Sequence, residues 1–219
     1  MAIVAEHVDK VLGSPPSRVL TDISLRVDDG EFVALTGRSG SGKSTLLYVL
    51  SSLDTPSAGS VSIDGMDVGR LSPTELSRLR NEQIGFVFQF HYLIAELTAL
   101  ENVLLPARRS GQERTRREYA ESLLERVGLG RKLDRLPRQL SGGEQQRVAI
   151  ARSLVMEPRY LFADEPTGAL DSINGEAVMK MLEETNREKR TSIVLVTHEP
   201  DFAARAKRQI HLADGKIIE

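Results

Sequence analysis

A glycine-rich stretch near the start of the chain has the residue types and spacing that bind phosphate. It occupies residues 37–45 and follows the pattern G-x-x-x-x-G-K-S. Glycines let successive backbone N–H groups converge on phosphate oxygens without clashes from Cβ atoms. In this pattern Lys43 reaches the outer phosphates and the Ser44 hydroxyl binds Mg²⁺. The predicted nucleotide-binding residues are Gly37, Arg38, Ser39, Gly40, Ser41, Gly42, Lys43, Ser44 and Thr45.

The chain on both sides of this stretch has the elements that a phosphate loop requires. Residues 32–36 form a β-rich run, and residues 45–50 can begin a helix whose N-terminus faces the anion. A random match in a chain of this length has a probability of about one per cent. Because the strand and the helix accompany the motif, the sequence predicts a nucleotide-binding protein.

Two acidic residues end an apolar run much later in the chain. Asp164 and Glu165 follow residues 160–163, which are all apolar. A buried strand that ends in carboxylates delivers them to the edge where an α/β sheet binds its ligands. Asp164 suits the Mg²⁺ shell, usually through water, and Glu165 suits activation of an attacking water. The alternative is a solvated strand end, which the adjacent pair and the phosphate loop make less favoured.

Two more polar residues come directly after predicted strands. Gln89 follows residues 84–88, and its amide could touch Mg²⁺ or the water. His198 follows residues 192–197 and falls at the same predicted sheet edge as Glu165. A lone histidine at a strand end is usually structural, so position alone makes His198 only a candidate.

Residues 140–144, with the sequence LSGGE, predict a second helix N-terminus with glycines and a hydroxyl. Such a terminus can bind an anion. No lysine follows its glycines, so it is a poor independent nucleotide site. An ordinary capped helix is an equally good interpretation, because Ser141 and Glu144 have capping-box spacing.

The order of predicted elements places these motifs on an α/β framework. Strands are predicted at residues 2–10, 19–27, 32–36, 60–64, 84–88, 160–163, 192–197 and 209–213, the last of these being the final strand. Helices are predicted at residues 45–50, 74–81, 113–127, 141–156 and 171–189, and a capping box at Thr98 begins another. Little strand signal occurs between about residues 90 and 158. The pattern is an α/β nucleotide-binding core interrupted by a helical insert.

Composition limits the classes of protein to consider. The 219 residues suffice for one compact domain or for a domain with a sub-domain. A formal charge of −2 gives no field that would gather nucleic acid. The absence of cysteine excludes disulfides and thiolate metal sites, and it fits the cytosol. The N-terminal residues lack a signal-peptide pattern, and no apolar window is long enough for a membrane span. Any membrane work is therefore expected to need a partner.

Together these segments resemble the ATP-binding subunits of ABC transporters. The phosphate loop, Gln89, LSGGEQ at 140–145, the acidic pair, Ala169-Leu170-Asp171 and His198 occur in that family's order and spacing. The resemblance covers essentially the whole chain. It implies a single ABC ATPase domain over residues 1–219, with a P-loop NTPase (RecA-like) core, an antiparallel β sub-domain and a helical signature sub-domain at about 90–158.

The resemblance also implies ligands and roles. ATP and Mg²⁺ would bind in a head-to-tail homodimer, with two ATP molecules between the subunits. The implied catalytic residues are Lys43, Gln89, Glu165 and His198, the last touching the γ-phosphate. The implied metal ligands are Ser44, Gln89 and Asp164. The residues implied to meet the partner's nucleotide are Ser141, Gly142, Gly143 and Gln145.

One position departs from the family's pattern. The family usually places an aromatic ring against adenine near the end of the first strand, and the aligned residue here is Leu12. The guanidinium of Arg18 could stack on the base instead, if the turn before it folds back. We therefore expect Leu12 to contact the nucleotide base, with or without Arg18.

Residues 88–93 and 97–103 resemble a narrower group, the lipoprotein-releasing and macrolide-exporting ATPases. This likeness implies an ATP hydrolase that powers an integral-membrane permease. The hydrolase would lie on the cytoplasmic face of the inner membrane as a peripheral subunit, and it would have no nucleic-acid partner. A cell-division ABC ATPase that controls wall hydrolases is an alternative. A soluble, DNA-acting ABC ATPase would need a long coiled-coil insert or metal cysteines. A P-loop GTPase or kinase would lack residues 140–144.

An apolar and aromatic stretch follows Gln89 directly. Its members are Phe90, Tyr92, Leu93, Ile94 and Leu97. They either line a groove for a helix of the membrane partner or pack into the core of the helical insert. The sequence leaves both interpretations open.

Overall fold

The computed structural model describes residues 1–168 and 170–218. The strands in chain order are β1 (Ala2–Leu12), β2 (Ser17–Asp28), β3 (Phe32–Thr36), β4 (Ala58–Ile63), β5 (Met66–Asp67), β6 (Ile84–Val87), β7 (Tyr160–Asp164), β8 (Ser192–Val196), β9 (Arg208–Ala213) and β10 (Lys216–Ile218). The α-helices are α1 (Lys43–Leu50), α2 (Pro73–Gln83), α3 (Ala99–Arg109), α4 (Glu113–Arg126), α5 (Gly142–Leu154), α6 (Ser172–Lys189) and α7 (Pro200–Ala203). The chain divides into two compact units, Met1–Arg80 with Ser192–Glu219, and Asn81–Thr191.

The first unit contains an antiparallel sheet in the order β2-β1-β4-β5. From Ile23 onwards alternate residues of β2 are buried, as expected for a strand with one face on the core. Its buried residues are Leu20, Ile23, Leu25 and Val27.

The same unit contains a second, mainly parallel group of strands. β3 pairs with β8 on one side and with β9 on the other, and β10 returns antiparallel to β9. β8 is buried along its whole length, and so are the first four residues of β3. Continuous apolar strands are typical of parallel sheets covered on both faces. This arrangement holds the carboxyl ends of β3 and β8 side by side.

The second unit is mainly helical. β6 and β7 pair in parallel, and α5 packs against β6 and against α3 and α4. Side chains of these helices, including Leu104, Leu123 and Ile150, are completely buried. Capping boxes begin α3 at Thr98 and α5 at Ser141, which confirms both predicted helix starts.

The predicted strand and helix boundaries agree with the structure to within two residues. The strands β5 and β10 and the short helix α7 were not predicted. The prediction that residues 209–213 are the last strand is therefore wrong. β10 is only three residues long and exists because it pairs with β9, so too little periodicity marks it in the sequence.

Across the described residues, no helix is both long enough and apolar enough to cross a membrane.

Candidate nucleotide-binding site

The glycines of residues 37–45 hold a conformation that other residues could not adopt. Gly37 and Gly42 have φ values of 139° and 102°. A Cβ atom on Gly37 would lie 2.2 Å from the carbonyl oxygen of Leu212, and one on Gly42 would lie 2.9 Å from a Leu20 methyl carbon. The N–H of Gly215 also donates to the Ser41 carbonyl at 3.1 Å. The loop after β3 is therefore clamped by close backbone contacts.

Three features of this loop are suited to an anion. Lys43 is only 7% exposed, and its ammonium donates to the carbonyls of Gly37 and Arg38 at 2.9 and 2.8 Å. Gly42 is the N-cap of α1 and has no side chain to satisfy the first N–H groups of the helix. The buried Ser41 hydroxyl has no hydrogen-bond partner among the described residues. A cation, uncapped N–H groups and an orphan hydroxyl together fit a phosphate.

His198 and Leu12 lie in the same unit as the loop. β8 pairs with β3 so that Val196 is opposite Leu35, and His198 emerges one strand away from the loop. The N–H of Glu199 donates to the Thr197 hydroxyl at 3.1 Å, which turns the chain after β8. Leu12 is 41% exposed at the end of β1.

Arg18 does not have a free guanidinium in this structure. One of its terminal nitrogens lies 3.8 Å from a carboxylate oxygen of Asp9. The Arg18 side chain is 58% exposed despite this ion pair, and Leu12 is 41% exposed. The structure therefore leaves both residues accessible to a nucleotide base.

The second unit carries the acidic pair and Gln89. Asp164 is the last residue of β7 and is 3% exposed. Glu165 follows with φ = 46°, a left-handed conformation that is uncommon outside glycine. Gln89 lies two residues beyond β6, where Val87 is opposite Ala163 of β7. The two strands therefore deliver Gln89, Asp164 and Glu165 to one edge, as predicted from their positions.

The signature segment, residues 140–145, is a capped helix start. The Ser141 hydroxyl accepts from the Glu144 N–H at 3.3 Å, and the Glu144 carboxylate accepts from the Ser141 N–H at 2.9 Å. Lys132 also donates to Glu144, and with the Ser141 N–H it holds the pKa of the Glu144 carboxyl below its ordinary value. Ser141 and Gly142 are exposed. The first-turn N–H groups of Gly142 and Gly143 have no acceptor within the helix.

Gln145 is engaged within its own chain. Its side-chain nitrogen donates to the carbonyls of Pro137 and Leu140 at 3.1 and 3.2 Å. These bonds fix the turn that presents Ser141, and they leave the amide oxygen as the part of Gln145 with capacity for another contact.

Only part of the Ala169-Leu170-Asp171 motif can be located. Ala169 lies outside the described residues. Asp171 is the N-cap of α6, where its carboxylate accepts from the backbone and side-chain nitrogens of Asn174 at 2.9 and 2.6 Å. These hydrogen bonds lower the pKa of the Asp171 carboxyl.

Comparison with known proteins identifies the family. Residues 20–168 match the ABC transporter family. The chain belongs to that family. It is 54% identical over 202 residues to the lipoprotein-releasing system ATP-binding protein LolD of Leptospira interrogans serogroup Icterohaemorrhagiae serovar Lai (strain 56601), covering 92% of this chain and 85% of that protein.

Two other similarities extend this result. The chain is 54% identical over 202 residues to the macrolide export ATP-binding/permease protein MacB 1/2 of Paracoccus denitrificans (strain Pd 1222), covering 92% of this chain and 30% of that protein. A solved dimeric structure of a post-hydrolysis ATP-binding cassette bound to ADP and Pi is 40% identical. It covers 99% of this chain and 97% of the other, with a TM-score of 0.91.

These findings establish the fold and the enzyme class. The chain is an ABC-type ATP hydrolase with a P-loop NTPase fold, and ATP is its nucleotide. The GTPase and kinase alternatives are therefore wrong.

The apolar stretch of this ABC ATPase after Gln89 is mostly on the surface. We call residues 90–97 the aromatic loop. Phe90, Tyr92 and Ile94 are 67%, 64% and 44% exposed, whereas Leu93 and Leu97 are half-buried. Core packing is therefore wrong as an account of the three exposed side chains.

Sequence reasoning missed one polar residue near the site. Gln146 of α5 is 1% exposed, and its side-chain nitrogen donates to the carbonyls of Phe88 and Pro166. A signal was present, because Gln146 precedes the buried Ile150 by four residues and so lies on the core-facing stripe of the helix. A polar residue in such a stripe needs partners.

Proposed function

We propose that this chain is the ATP-hydrolysing subunit of a membrane ABC transporter complex that releases lipoproteins or exports a related cargo. The observation that carries the proposal is the 54% identity to a lipoprotein-releasing ATP-binding protein over 92% of the chain. The resemblance of residues 88–93 and 97–103 to the same group also supports it.

In the proposed mechanism the protein positions ATP and neutralises charge. The backbone of residues 37–45 and the Lys43 ammonium bind the phosphates. Ser44, Gln89 and Asp164 offer the oxygen ligands that Mg²⁺ prefers. The metal would supply charge neutralisation on the phosphoryl oxygens. Glu165 orients and polarises the attacking water, and His198 donates to the γ-phosphate.

We further propose a head-to-tail homodimer with two ATP molecules between the subunits. Each ATP is held by the phosphate loop of one chain and by Ser141, Gly142, Gly143 and Gln145 of the other. One feature of the chain and one of a relative support this arrangement. Both α1 and α5 begin at glycines, and a buried lysine follows the glycine at α1 but not those at α5. The solved cassette that resembles this chain is dimeric.

The membrane partner is proposed to dock on the aromatic loop. Phe90, Tyr92 and Ile94 offer an exposed apolar surface directly after Gln89. A partner that docked there would act on Gln89, a proposed metal ligand, through the connecting backbone. The chain would then lie on the cytoplasmic face of the inner membrane as a peripheral subunit. We also propose that residues 1–219 form one ABC ATPase domain with a helical insert at about 90–158, and that nucleic acid is not a partner.

Replacement of Glu165 by glutamine tests the catalytic part of this proposal. The amide is nearly isosteric but cannot act as a base, so turnover should fall at least about a hundredfold while ATP binding survives. ATP should then accumulate between two subunits, and size-exclusion chromatography with Mg-ATP should show a dimer. Glu118→Gln, at an exposed position of α4, makes the same chemical change away from the site and should behave as wild type.

The outcome that overturns the shared-nucleotide dimer is a Glu165→Gln protein that binds ATP and stays monomeric. The transport part is tested by purifying the native protein from membranes and identifying what accompanies it. An integral-membrane subunit with a domain outside the cytoplasm supports the proposal. Recovery of the chain with cell-division proteins would favour the alternative instead.

A further inference from the structure

Gln146 lies one residue after the signature segment, and its side chain forms three hydrogen bonds. The amide nitrogen donates to the Phe88 carbonyl at 3.3 Å and to the Pro166 carbonyl at 3.1 Å. The amide oxygen lies 2.6 Å from Nδ1 of His91. The residue is 1% exposed, so these protein groups are its main partners.

The chemistry of these partners permits only one orientation of the amide. Backbone carbonyls can only accept hydrogen bonds, so the two N–H bonds of Gln146 must point at Phe88 and Pro166. The amide oxygen then faces His91, which must donate from Nδ1. Both donors of the Gln146 amide are used, and the contact also assigns the Nδ1–H form to His91. The side chain is therefore fixed in one place.

The two carbonyls belong to segments that carry proposed catalytic residues. Phe88 immediately precedes Gln89, and Pro166 immediately follows Glu165. β6 and β7, which these segments follow, are adjacent parallel strands. One amide thus links the carboxyl ends of two neighbouring strands, in each case through the carbonyl of the residue next to one in the proposed mechanism.

Glu165 needs such a restraint more than most residues. Its φ of 46° is a strained conformation for a residue with a Cβ, and strain of this kind persists only where surrounding contacts impose it. The hydrogen bond from Gln146 to Pro166 acts one residue away. A second restraint comes from the turn in which the Gly168 N–H donates to the Glu165 carbonyl at 3.1 Å.

The same helix also holds the start of the aromatic loop. Arg152 lies further along α5, and its guanidinium donates to the carbonyls of His91 and Tyr92 at 2.8 and 2.7 Å. Phe88, His91 and Tyr92 are therefore all attached to α5. Gln146 and Arg152 make these attachments, and Gln146 also donates to Pro166, the residue after Glu165.

We propose that Gln146 is a positioning residue for ATP hydrolysis. Its amide sets the spacing between the backbone next to Gln89 and the backbone next to Glu165, and so the place of the Glu165 carboxylate. Gln146 acts through Glu165 and not by touching nucleotide. The inference rests on the proposed function, because the role of Glu165 is part of that proposal.

Two substitutions remove the proposed restraint in different ways. Gln146→Met keeps the length of the side chain and deletes all three hydrogen bonds. Gln146→Glu keeps an oxygen for His91 and loses the donor that faces the two carbonyls. We expect kcat to fall about tenfold in each, since small misplacements of catalytic groups have effects of this size. The affinity for Mg-ATP should change less than about twofold, because the phosphate loop is untouched.

A control variant on the same helix separates positioning from stability. The buried Ser153 hydroxyl donates to the Ile150 carbonyl at 2.7 Å. Ser153→Ala therefore also deletes a buried hydrogen bond of α5, but one with no link to Glu165. It should keep the wild-type kcat at temperatures where all variants are folded.

A double variant decides whether Gln146 acts through Glu165. In a Glu165→Gln background, measured by single turnover, Gln146→Met should lower the rate less than about twofold, because coupled residues are not additive. A tenfold loss in both backgrounds would overturn the proposal, and so would an unchanged kcat in a folded Gln146→Met protein. If Gln146→Glu fails to fold, Gln146→Met alone decides. Wild-type protein without ATPase activity would instead overturn the proposed function.

Discussion

The sequence predicts anion sites at two glycine-containing helix starts, those of α1 and α5. The structure shows that they differ in how far their polar groups already have partners within the chain. At α1 the cap is Gly42, the first helical residue is the buried Lys43, and the Ser41 hydroxyl has no partner among the described residues. At α5 the Ser141 and Glu144 side chains satisfy each other's backbone N–H groups. The first start is prepared for an external anion, whereas the second is largely satisfied by its own chain.

This difference explains why the second start would need a phosphate that is already held elsewhere. The Glu144 carboxylate is charged near the helix end and would repel an anion that arrived alone. What remains available is the Ser141 hydroxyl hydrogen and the N–H groups of Gly142 and Gly143. Such a set is too weak to capture a nucleotide, but it can complete the coordination of one bound to a partner subunit.

The largest expected effect comes from removing one side chain from each helix start, Lys43 at α1 and Ser141 at α5. Lys43→Ala should weaken ATP binding to the isolated chain roughly tenfold to a hundredfold, because a charge-assisted hydrogen bond contributes about 1.5–3 kcal/mol. Ser141→Ala should leave this affinity within about twofold of wild type, since Ser141 is proposed to meet the nucleotide of the partner subunit and not the one bound to its own chain. Isothermal titration calorimetry with Mg-ATP measures both.

Two further variants complete that experiment. Lys180→Ala, at an exposed position of α6, removes a lysine elsewhere and should not change the affinity. In the Glu165→Gln background, Ser141→Ala should reduce the ATP-dependent dimer. Equal losses of ATP affinity in Lys43→Ala and Ser141→Ala would contradict the distinction between the two helix starts.

Acid should weaken the start of α5 and leave that of α1 unaffected. Lys132 and the Ser141 N–H lower the folded-state pKa of Glu144 from 4.5, so the carboxylate stabilises the fold fully above pH 4.5. This contribution, about 1 kcal/mol, is lost as the pH falls through the folded-state pKa. The first turn of α1 contains no acidic residue.

Denaturant unfolding of wild type and Glu144→Gln between pH 7 and pH 3 measures the effect. The wild type should be the more stable protein at pH 7, and the difference should close in acid. Glu118→Gln serves as the control for removal of a carboxylate. A gap that stays constant with pH would show that the Glu144 charge does not stabilise the cap.

The smallest expected effect concerns the base of the nucleotide. Leu12→Tyr should strengthen ATP binding by about 1 kcal/mol and increase the preference for ATP over GTP, because stacking on a ring exceeds an aliphatic contact. In wild type, GTP should compete within about tenfold. Affinities of both nucleotides for wild type, Leu12→Tyr and Arg18→Ala are the measurement.

Arg18 provides the alternative outcome of that experiment. If Leu12→Tyr changes nothing and Arg18→Ala loses affinity, the guanidinium already stacks on the base. The guanidinium could stack through its planar face and keep its ion pair with the Asp9 carboxylate, which lies 3.8 Å away.

The phosphate loop could be predicted from the sequence because its chemistry is local. Gly37, Lys43 and the flanking strand and helix lie within about twenty residues, and each acts through the backbone next to it. The acidic pair was predictable for a similar reason, since an apolar run placed it at a strand end. The left-handed backbone conformation of Glu165 could not be predicted, because a glutamate does not indicate a positive φ.

Features that depend on distant parts of the chain could not be predicted. β10 exists through its pairing with β9, and Gln146 acquires its role from carbonyls 58 and 20 residues away. Gln145 was predicted to meet the partner's nucleotide, and its amide nitrogen is engaged with Pro137 and Leu140. Sequence motifs therefore locate the chemistry better than the contacts that hold it in place.

The clamp on the phosphate loop has a consequence for protein synthesis. β3 lies between β8 and β9, and the loop after it contacts Leu212 and Gly215. A ribosome that makes roughly 5–20 residues per second therefore exposes the loop on the order of ten seconds before the residues that shape it. A nascent chain should remain unable to bind ATP until residues 212–215 have left the ribosome.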